Sequence, residues 1–175
     1  MATRKSITEE VQTLGALLRA PFEAMLQYNY TGLANEGFGD IRLAHGAVFR
    51  NISREGSRLT ELAERARMTK QSMAELVDYL RKRGYVELSP DPNDGRAKLV
   101  MLTDRGAGVV EALIRISRRY ERGCARAIGE DKWLQFRRLL AEVGGAMREV
   151  AERDRAAGSK RRTPDGSRGN ARTAA

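Results

Sequence analysis

Two short polar segments near the middle of the chain have side chains suited to contacting nucleic acid. The first, Thr69-Lys70-Gln71-Ser72, combines a cation with groups that donate and accept hydrogen bonds. Lysine can meet phosphate or guanine, glutamine can pair with adenine, and serine can reach a base or a phosphate. Because such residues read DNA from the start of a helix lying in the major groove, the segment predicts a recognition helix.

The second segment, residues 91–96, is rich in Pro, Asn, Asp and Gly, as a hairpin tip is. An exposed Arg96 could enter the narrow minor groove, whose negative potential attracts guanidinium. Asp94 is predicted to hold Arg96 in one rotamer, and Gly95 allows the tight turn between them. Lys98 is predicted to contact phosphate. The alternative interpretation is an ordinary turn with incidental charges.

Apolar spacing predicts the elements that carry these two segments. A helix capped by Thr69 and ended by Gly84 has one apolar face. That face consists of Met73, Leu76, Val77 and Leu80. A shorter helix from about Thr60 precedes it, and β-prone runs at 85–88 and 98–102 flank the tip as a two-stranded hairpin. The predicted fold class is therefore mainly α with a small β-hairpin wing, a winged helix-turn-helix.

Long stripes of apolar residues at helical spacing flank this middle region. A capping box at Ser6 and Glu9 predicts the start of the first helix, Pro21 is expected to kink or split it, and its end near Gly32 is expected to fray. The stripes are too long for one chain to cover, which predicts a homodimer. The predicted regions are an N-terminal dimerisation helix (1–36), the winged helix-turn-helix (37–103), C-terminal dimerisation helices (104–152) and a disordered basic tail (153–175).

Charge favours an anionic partner. The 175 residues carry a net charge of +9. Residues 153–175 hold seven basic and two acidic side chains, so about half of the excess lies in the tail. No apolar run approaches the roughly 20 residues of a membrane span, and the first ten residues lack the apolar core of a secretion signal. These features predict a soluble cytoplasmic protein without a membrane partner.

The few reactive residues argue against an enzyme or a metalloprotein. One cysteine, Cys124, and one histidine, His45, fall short of the four ligands of a structural zinc site. There is no nucleophile–base pair, phosphate loop or metal cluster in the sequence, so no catalytic residue and no cofactor is predicted. Cys124 is predicted to be a buried packing residue rather than an oxidant sensor. His45 alone is typical of a hydrogen-bonded surface or boundary residue.

The middle of the chain resembles the MarR family of bacterial transcription regulators. The matching residues are Leu59-Thr60-Glu61-Leu62-Ala63, the helix from 69 to 84, the wing at 91–96, and Leu102-Thr103 followed by Gly106. The resemblance implies a homodimer that binds double-stranded DNA at a palindromic operator. It further implies that Lys70, Gln71 and Ser72 begin the recognition helix and that Arg96 is the wing arginine with Asp94 as partner.

Many proteins of this family are repressors released by a small ligand, often an aromatic acid. Such a ligand is predicted to bind between the dimer helices and the winged region. Tyr28, Tyr30, Arg42 and His45 are the predicted ligand-binding residues. The chain departs from the family pattern at Ala74 and Glu75, where polar or basic residues are frequent. A winged-helix module that binds protein without specific DNA binding is therefore the alternative.

Overall fold

The computed structural model describes the backbone of residues 13–161 and the side chains of residues 13–157. The helices are α1 (Leu14–Leu33), α2 (Gly46–Phe49), α3 (Leu59–Ala66), α4 (Lys70–Lys82), α5 (Asp104–Ile128) and α6 (Glu130–Arg161). The strands are β1 (Ser57–Arg58), β2 (Val86–Asp91) and β3 (Asp94–Leu102). A π-helical turn (Ala34–Phe38) and a 3₁₀ turn (Leu43–His45) connect α1 to α2. The predicted class, mainly α with a small β wing, is confirmed.

Helix α1 runs without interruption through Pro21. Thr13 caps it by accepting a hydrogen bond from the Ala16 N–H at 3.3 Å, and the predicted capping box at Ser6 and Glu9 lies outside the described residues. Of the two outcomes predicted for Pro21, the split is wrong, and the kink stays a prediction. Proline removes its own N–H donor, and the carbonyl left without that donor belongs to Leu17, an exposed residue where water can replace it.

The end of α1 is packed, not frayed. Leu33 is fully buried, and a Cβ built on Gly32 would lie 2.8 Å from the Cγ2 of Ile116 on α5. Glycine at position 32 thus lets the two helices approach closely. The sequence Tyr-Asn-Tyr-Thr-Gly indicates a frayed helix end. The packing partner Ile116 is distant in sequence, so the local sequence does not reveal that this end is packed.

The wing is a three-stranded antiparallel sheet in the order β1-β3-β2, where the sequence predicted two strands. Strand β1 pairs Ser57 with Val100 and Arg58 with Leu99. We missed β1 because two residues offer no periodicity to detect, and the preceding segment is polar. The predicted hairpin of β2 and β3 is present, with its strands extended toward a short Pro92-Asn93 tip.

The helix-turn-helix forms as predicted. Arg67 adopts a left-handed conformation (φ 53°) and ends α3, after which Thr69 caps α4 by accepting a hydrogen bond from the Ser72 N–H at 3.1 Å. Gly84, at φ 72°, follows the end of α4. On the predicted apolar face Met73, Val77 and Leu80 are buried, whereas Leu76 is half-buried. Their core partners include Leu33, Val48, Leu62, Tyr85, Val100 and Val109.

The chain divides into two compact units after Gly123. In the second unit α6 continues to Arg161, nine residues into the segment predicted to be disordered. Residues 151–157, AERDRAA, explain this, because Ala, Glu and Arg are strong helix formers. The rest of the predicted tail lies outside the described residues. No helix in the described part of the chain combines the length and hydropathy needed to cross a membrane.

Candidate nucleic-acid interface

The first turn of α4 exposes the predicted recognition residues. Lys70 and Gln71 are exposed and Ser72 is half-buried, with its Oγ 2.9 Å from the Oγ1 of Thr69. Thr69 is occupied in capping the helix. This leaves Lys70 and Gln71 as the groups best placed to meet a ligand at the helix start.

Glu75, one of the two residues that depart from the family pattern, lies one turn beyond Gln71. Its Oε1 is 3.5 Å from the Nε2 of Gln71, within reach of a weak side-chain hydrogen bond. The amide of Gln71 is thereby oriented along the helix by a carboxylate. A base that pairs with Gln71 must either replace the contact between Gln71 and Glu75 or form its hydrogen bonds while that contact stays in place.

The wing tip places Arg96 differently from the sequence prediction. The Asp94 Oδ1 accepts a hydrogen bond from the backbone N–H of Arg96 at 3.1 Å, and its Oδ2 lies 3.6 Å from the Nη2 of Arg58. The prediction that Asp94 fixes the Arg96 rotamer is therefore wrong, because a carboxylate two residues away reaches the backbone more readily than the side chain. Within residues 13–157 the exposed Arg96 guanidinium forms no ion pair.

Lys98 is exposed on β3, where it pairs in register with Pro90 of β2. Proline has no N–H to donate, so the ladder is weakened at this point and the register shifts between Pro90 and Asp91. The basic residues Arg96 and Lys98 thus lie on a strand whose pairing is irregular toward the tip.

Sequence reasoning missed Arg58 and the role of Asp91. The Nε of Arg58 donates to the Oδ2 of Asp91 at 2.7 Å, and its Nη2 lies 2.6 Å from the same oxygen. The Asn93 N–H and Arg58 both hold the pKa of the Asp91 carboxyl below its usual value, and Asp91 raises the pKa of Arg58. No local sequence pattern predicts this ion pair, because Arg58 and Asp91 are 33 residues apart.

Aromatic and charged residues anchor the opposite end of α4. Tyr79 donates to the Asp40 carbonyl oxygen at 2.9 Å, and the Arg83 guanidinium lies 3.7 Å from the centre of the Tyr79 ring. Tyr85 donates to the Asp40 carboxylate at 2.6 Å, while Arg105 donates to the Tyr85 hydroxyl at 3.0 Å. Burial and the bond to Asp40 raise the Tyr85 pKa. These contacts fix the end of α4 and the residue before β2 against the loop before α2.

Of the four predicted ligand-binding residues, Arg42 and His45 contact each other, whereas Tyr28 packs on α5. Tyr28 packs on Tyr120 of α5, with ring centres 4.7 Å apart, whereas the Tyr30 hydroxyl lies 3.5 Å from the Leu43 carbonyl oxygen. The exposed Arg42 donates its backbone N–H to the Nδ1 of His45 at 3.0 Å. No contact among the described residues joins Tyr28 to the other three, and their role in ligand binding stays a prediction.

His45 and Cys124 differ from their predicted settings. His45 is only 4% exposed, so the prediction of a surface or boundary position is wrong; its ring stacks on Tyr79 with centres 4.2 Å apart. The 3₁₀ turn directs the ring inward, which a lone histidine in a sequence does not reveal. Cys124 is half-buried rather than buried.

We expect His45 to make stability depend on pH. Burial, followed by the nearby Arg42, lowers the His45 pKa below 6.5, and Asp40 only partly opposes this. As pH falls through 6.5 the unfolded chain binds a proton that the folded chain does not, so the free energy of unfolding should decrease. The decrease should end below the folded-state pKa.

Urea unfolding of the parent and His45→Gln proteins between pH 7.5 and 5.5 would check this. His45 is the only histidine in the chain, so the variant should show little pH dependence in this range. Equal slopes in the two proteins would contradict the assignment.

In chain order, α3, a turn and α4 are followed by β2 and β3, and β1 pairs beside β3. This arrangement defines a winged helix-turn-helix protein. Residues 40–97 match the family model described as the MarR family. The predicted resemblance of this region to the MarR family is therefore confirmed.

Individual proteins are also similar to the chain. The HTH-type transcriptional repressor NicR of Pseudomonas putida is 36% identical over 70 residues, which cover 40% of this chain and 39% of NicR. The match thus spans about two fifths of that relative's length. Wild-type E. coli MarR in its apo form has 24% identity and a TM-score of 0.62, covering 75% of this chain and 96% of that one.

A third relative was solved with nucleic acid. The transcriptional repressor CouR bound to a 23-mer DNA duplex has 19% identity and a TM-score of 0.57. The match covers 81% of this chain and 99% of CouR. At these identities the structural matches show a shared fold.

Proposed function

We propose that this protein is a homodimeric transcriptional regulator that represses nearby genes by binding a palindromic DNA operator. The observation that carries the proposal is the exposed Arg96, which pairs with no described residue, on a wing that follows directly from a helix exposing Lys70 and Gln71. In this arrangement the helix reads the major groove and the wing arginine enters the adjacent minor groove. The shared fold with the transcriptional repressor CouR, which was solved bound to a 23-mer DNA duplex, supports DNA binding.

A gel-shift titration tests DNA binding. The duplex is the region upstream of the protein's own gene, and the control is the same duplex with its inverted repeats scrambled. We expect preference for the native duplex to survive at about 0.15 M salt, where purely electrostatic binding weakens. Equal affinity for the two duplexes would favour the alternative, a winged helix that binds protein. The exposed carboxylate of Glu75 on α4 is compatible with that alternative.

Exposed apolar residues support the homodimer. In α1 these include Leu14, Leu17 and Phe22. On one face of α6 they are Phe136, Leu139, Leu140, Val143, Met147 and Val150. A long helix with such a face exposed gains stability when a partner covers it, and a second copy offers the same faces by symmetry.

We expect Leu139→Glu to weaken self-association. Leu139 is 51% exposed on α6, so covering the rest of it contributes roughly 1–1.5 kcal/mol, counted twice in a symmetric dimer, and the glutamate would add the cost of burying a charge. The dissociation constant should therefore rise about a hundredfold or more, measured by sedimentation velocity across micromolar concentrations. Glu152→Lys, on the opposite face of α6, is the matched control and should leave association unchanged. A monomeric parent protein would contradict the dimer.

Release by a small aromatic acid is the finer part of the proposal. Tyr30 and His45 lie near the turns that join α1 to α2, and Tyr79 links His45 to the recognition helix. A ligand at these turns could act on DNA binding only by preferring one dimer conformation over the other.

A further inference from the structure

Arg58 connects the body of the winged region to the wing tip. Its backbone is fixed at two places, because it pairs with Leu99 in the sheet and its N–H donates to the Glu61 Oε2 at 3.3 Å, at the start of α3. Its side chain extends to the far end of β2, where Nε and Nη2 contact Asp91. Arg58 is thus held on the body at its backbone and on the tip at its guanidinium.

Asp91 converts this contact into a constraint on the turn. It is only 6% exposed, and each of its oxygens has a partner: Oδ1 accepts from the Asn93 N–H at 2.8 Å and Oδ2 accepts from Arg58. Without Arg58, a buried carboxylate would keep a single backbone donor. Because an uncompensated buried charge is costly, the turn would open to hydrate it.

Asp94 extends the constraint to Arg96. Its Oδ2 faces the Arg58 guanidinium at 3.6 Å, while its Oδ1 accepts from the Arg96 N–H. One guanidinium therefore contacts the two carboxylates that flank the tip, and the second of these holds the backbone of the wing arginine.

We propose that Arg58 is a positioning residue for the wing, which sets the place of Arg96 through Asp91 and Asp94. The inference rests on the proposed function and deepens it: Arg58 determines affinity for DNA without needing to touch DNA. The competing explanation is that Arg58, whose side chain is 38% exposed, contacts a phosphate directly.

Amide hydrogen exchange without DNA tests the constraint itself. In Arg58→Met, we expect protection of the Asn93 and Arg96 amides to fall about fivefold or more, while α4 amides keep theirs. Arg115→Met is the matched control, since it breaks an ion pair of 2.8 Å to Glu36 away from the wing. Unchanged wing protection in Arg58→Met would overturn the proposal, whether or not the protein binds DNA.

DNA titrations then separate positioning from direct contact. Asp91→Asn removes a negative charge, which by electrostatics alone should strengthen DNA binding, whereas a loosened wing should weaken it about threefold or more. Arg58→Met should weaken binding about fivefold in the parent and less than about twofold in an Arg96→Ala background. Two results would overturn the positioning role in favour of direct contact between Arg58 and phosphate. One is stronger DNA binding by Asp91→Asn, and the other is an equal loss of affinity on Arg58→Met in the parent and in the Arg96→Ala background. If the parent shows no sequence preference, the proposed function fails, and the exchange result still decides the role of Arg58.

Discussion

Replacing Gly106 with alanine should unfold the winged region or cost about 3 kcal/mol or more in the free energy of unfolding. A Cβ at this position would lie 2.0 Å from the Tyr85 carbonyl oxygen and 3.0 Å from its carbonyl carbon. Both atoms are backbone, so no side-chain rotation relieves the overlap. The first turn of α5 would have to move away from the start of β2.

The contacts around Gly106 explain why such a movement is costly. The Thr103 N–H donates to the Tyr85 carbonyl oxygen at 3.2 Å, and the Thr103 hydroxyl donates to the Gly84 carbonyl oxygen at 2.6 Å. The same hydroxyl caps α5 by accepting from the Gly106 N–H at 3.1 Å. Displacing α5 would break this group of bonds and expose Tyr85, a fully buried core residue.

Gly108→Ala supplies the matched control two residues along the same helix. There a Cβ would meet only the Phe38 Cζ at 3.5 Å, an ordinary contact. Because alanine favours helix over glycine, this variant should gain about 0.5–1 kcal/mol. Urea unfolding followed by circular dichroism measures both variants. A loss below about 1 kcal/mol in Gly106→Ala would show that α5 is not held against Tyr85 as the structure has it.

Arg96→Ala should weaken operator binding at least about tenfold, a loss of roughly 1.4 kcal/mol. The guanidinium is exposed at the wing tip and is not engaged by any described residue, so its loss should leave folding intact. Each wing of a dimer would lose its minor-groove contact. Gel-shift titration with the native operator duplex measures the change, and an unaltered thermal unfolding curve shows that the fold is retained.

Two further variants show what Arg96 contributes. Arg96→Lys keeps the charge but not the planar fork, so it should bind between the parent and the alanine variant. Arg54→Ala removes another exposed arginine, from the loop before β1, and should change affinity by less than about twofold if Arg96 acts by position rather than by charge. Parent-like binding by Arg96→Ala would remove the wing from the DNA interface.

Local chemistry made much of the winged region predictable. Thr69 and Gly84 mark the ends of α4 because capping and left-handed conformations depend on neighbouring residues. The apolar spacing of α4 and the Pro-Asn-Asp-Gly composition of the tip are likewise visible within short segments of the sequence. The resemblance of residues 59–106 to the MarR family is carried by these same stretches.

The errors arose where a distant partner decides the outcome. Pro21 and Gly32 looked like breaks in α1, yet the helix passes through the first at an exposed position and packs on Ile116 at the second. His45 looked like a surface residue until Tyr79, from another helix, covered its ring. Helix α6 passed its predicted end because propensity, not periodicity, sustains the last turns.

The sequence by itself determined the order of the elements from α3 to α5, the ends of α4 and the exposure of Lys70 and Arg96. The tertiary structure alone decided how the wing is held, because Arg58 and Asp91 meet only when β1 joins the sheet beside β3. The physical reason is that capping, turn and helix propensities act within a few residues. Ion pairs and close backbone contacts such as Gly106 on Tyr85 depend on the path of the whole chain.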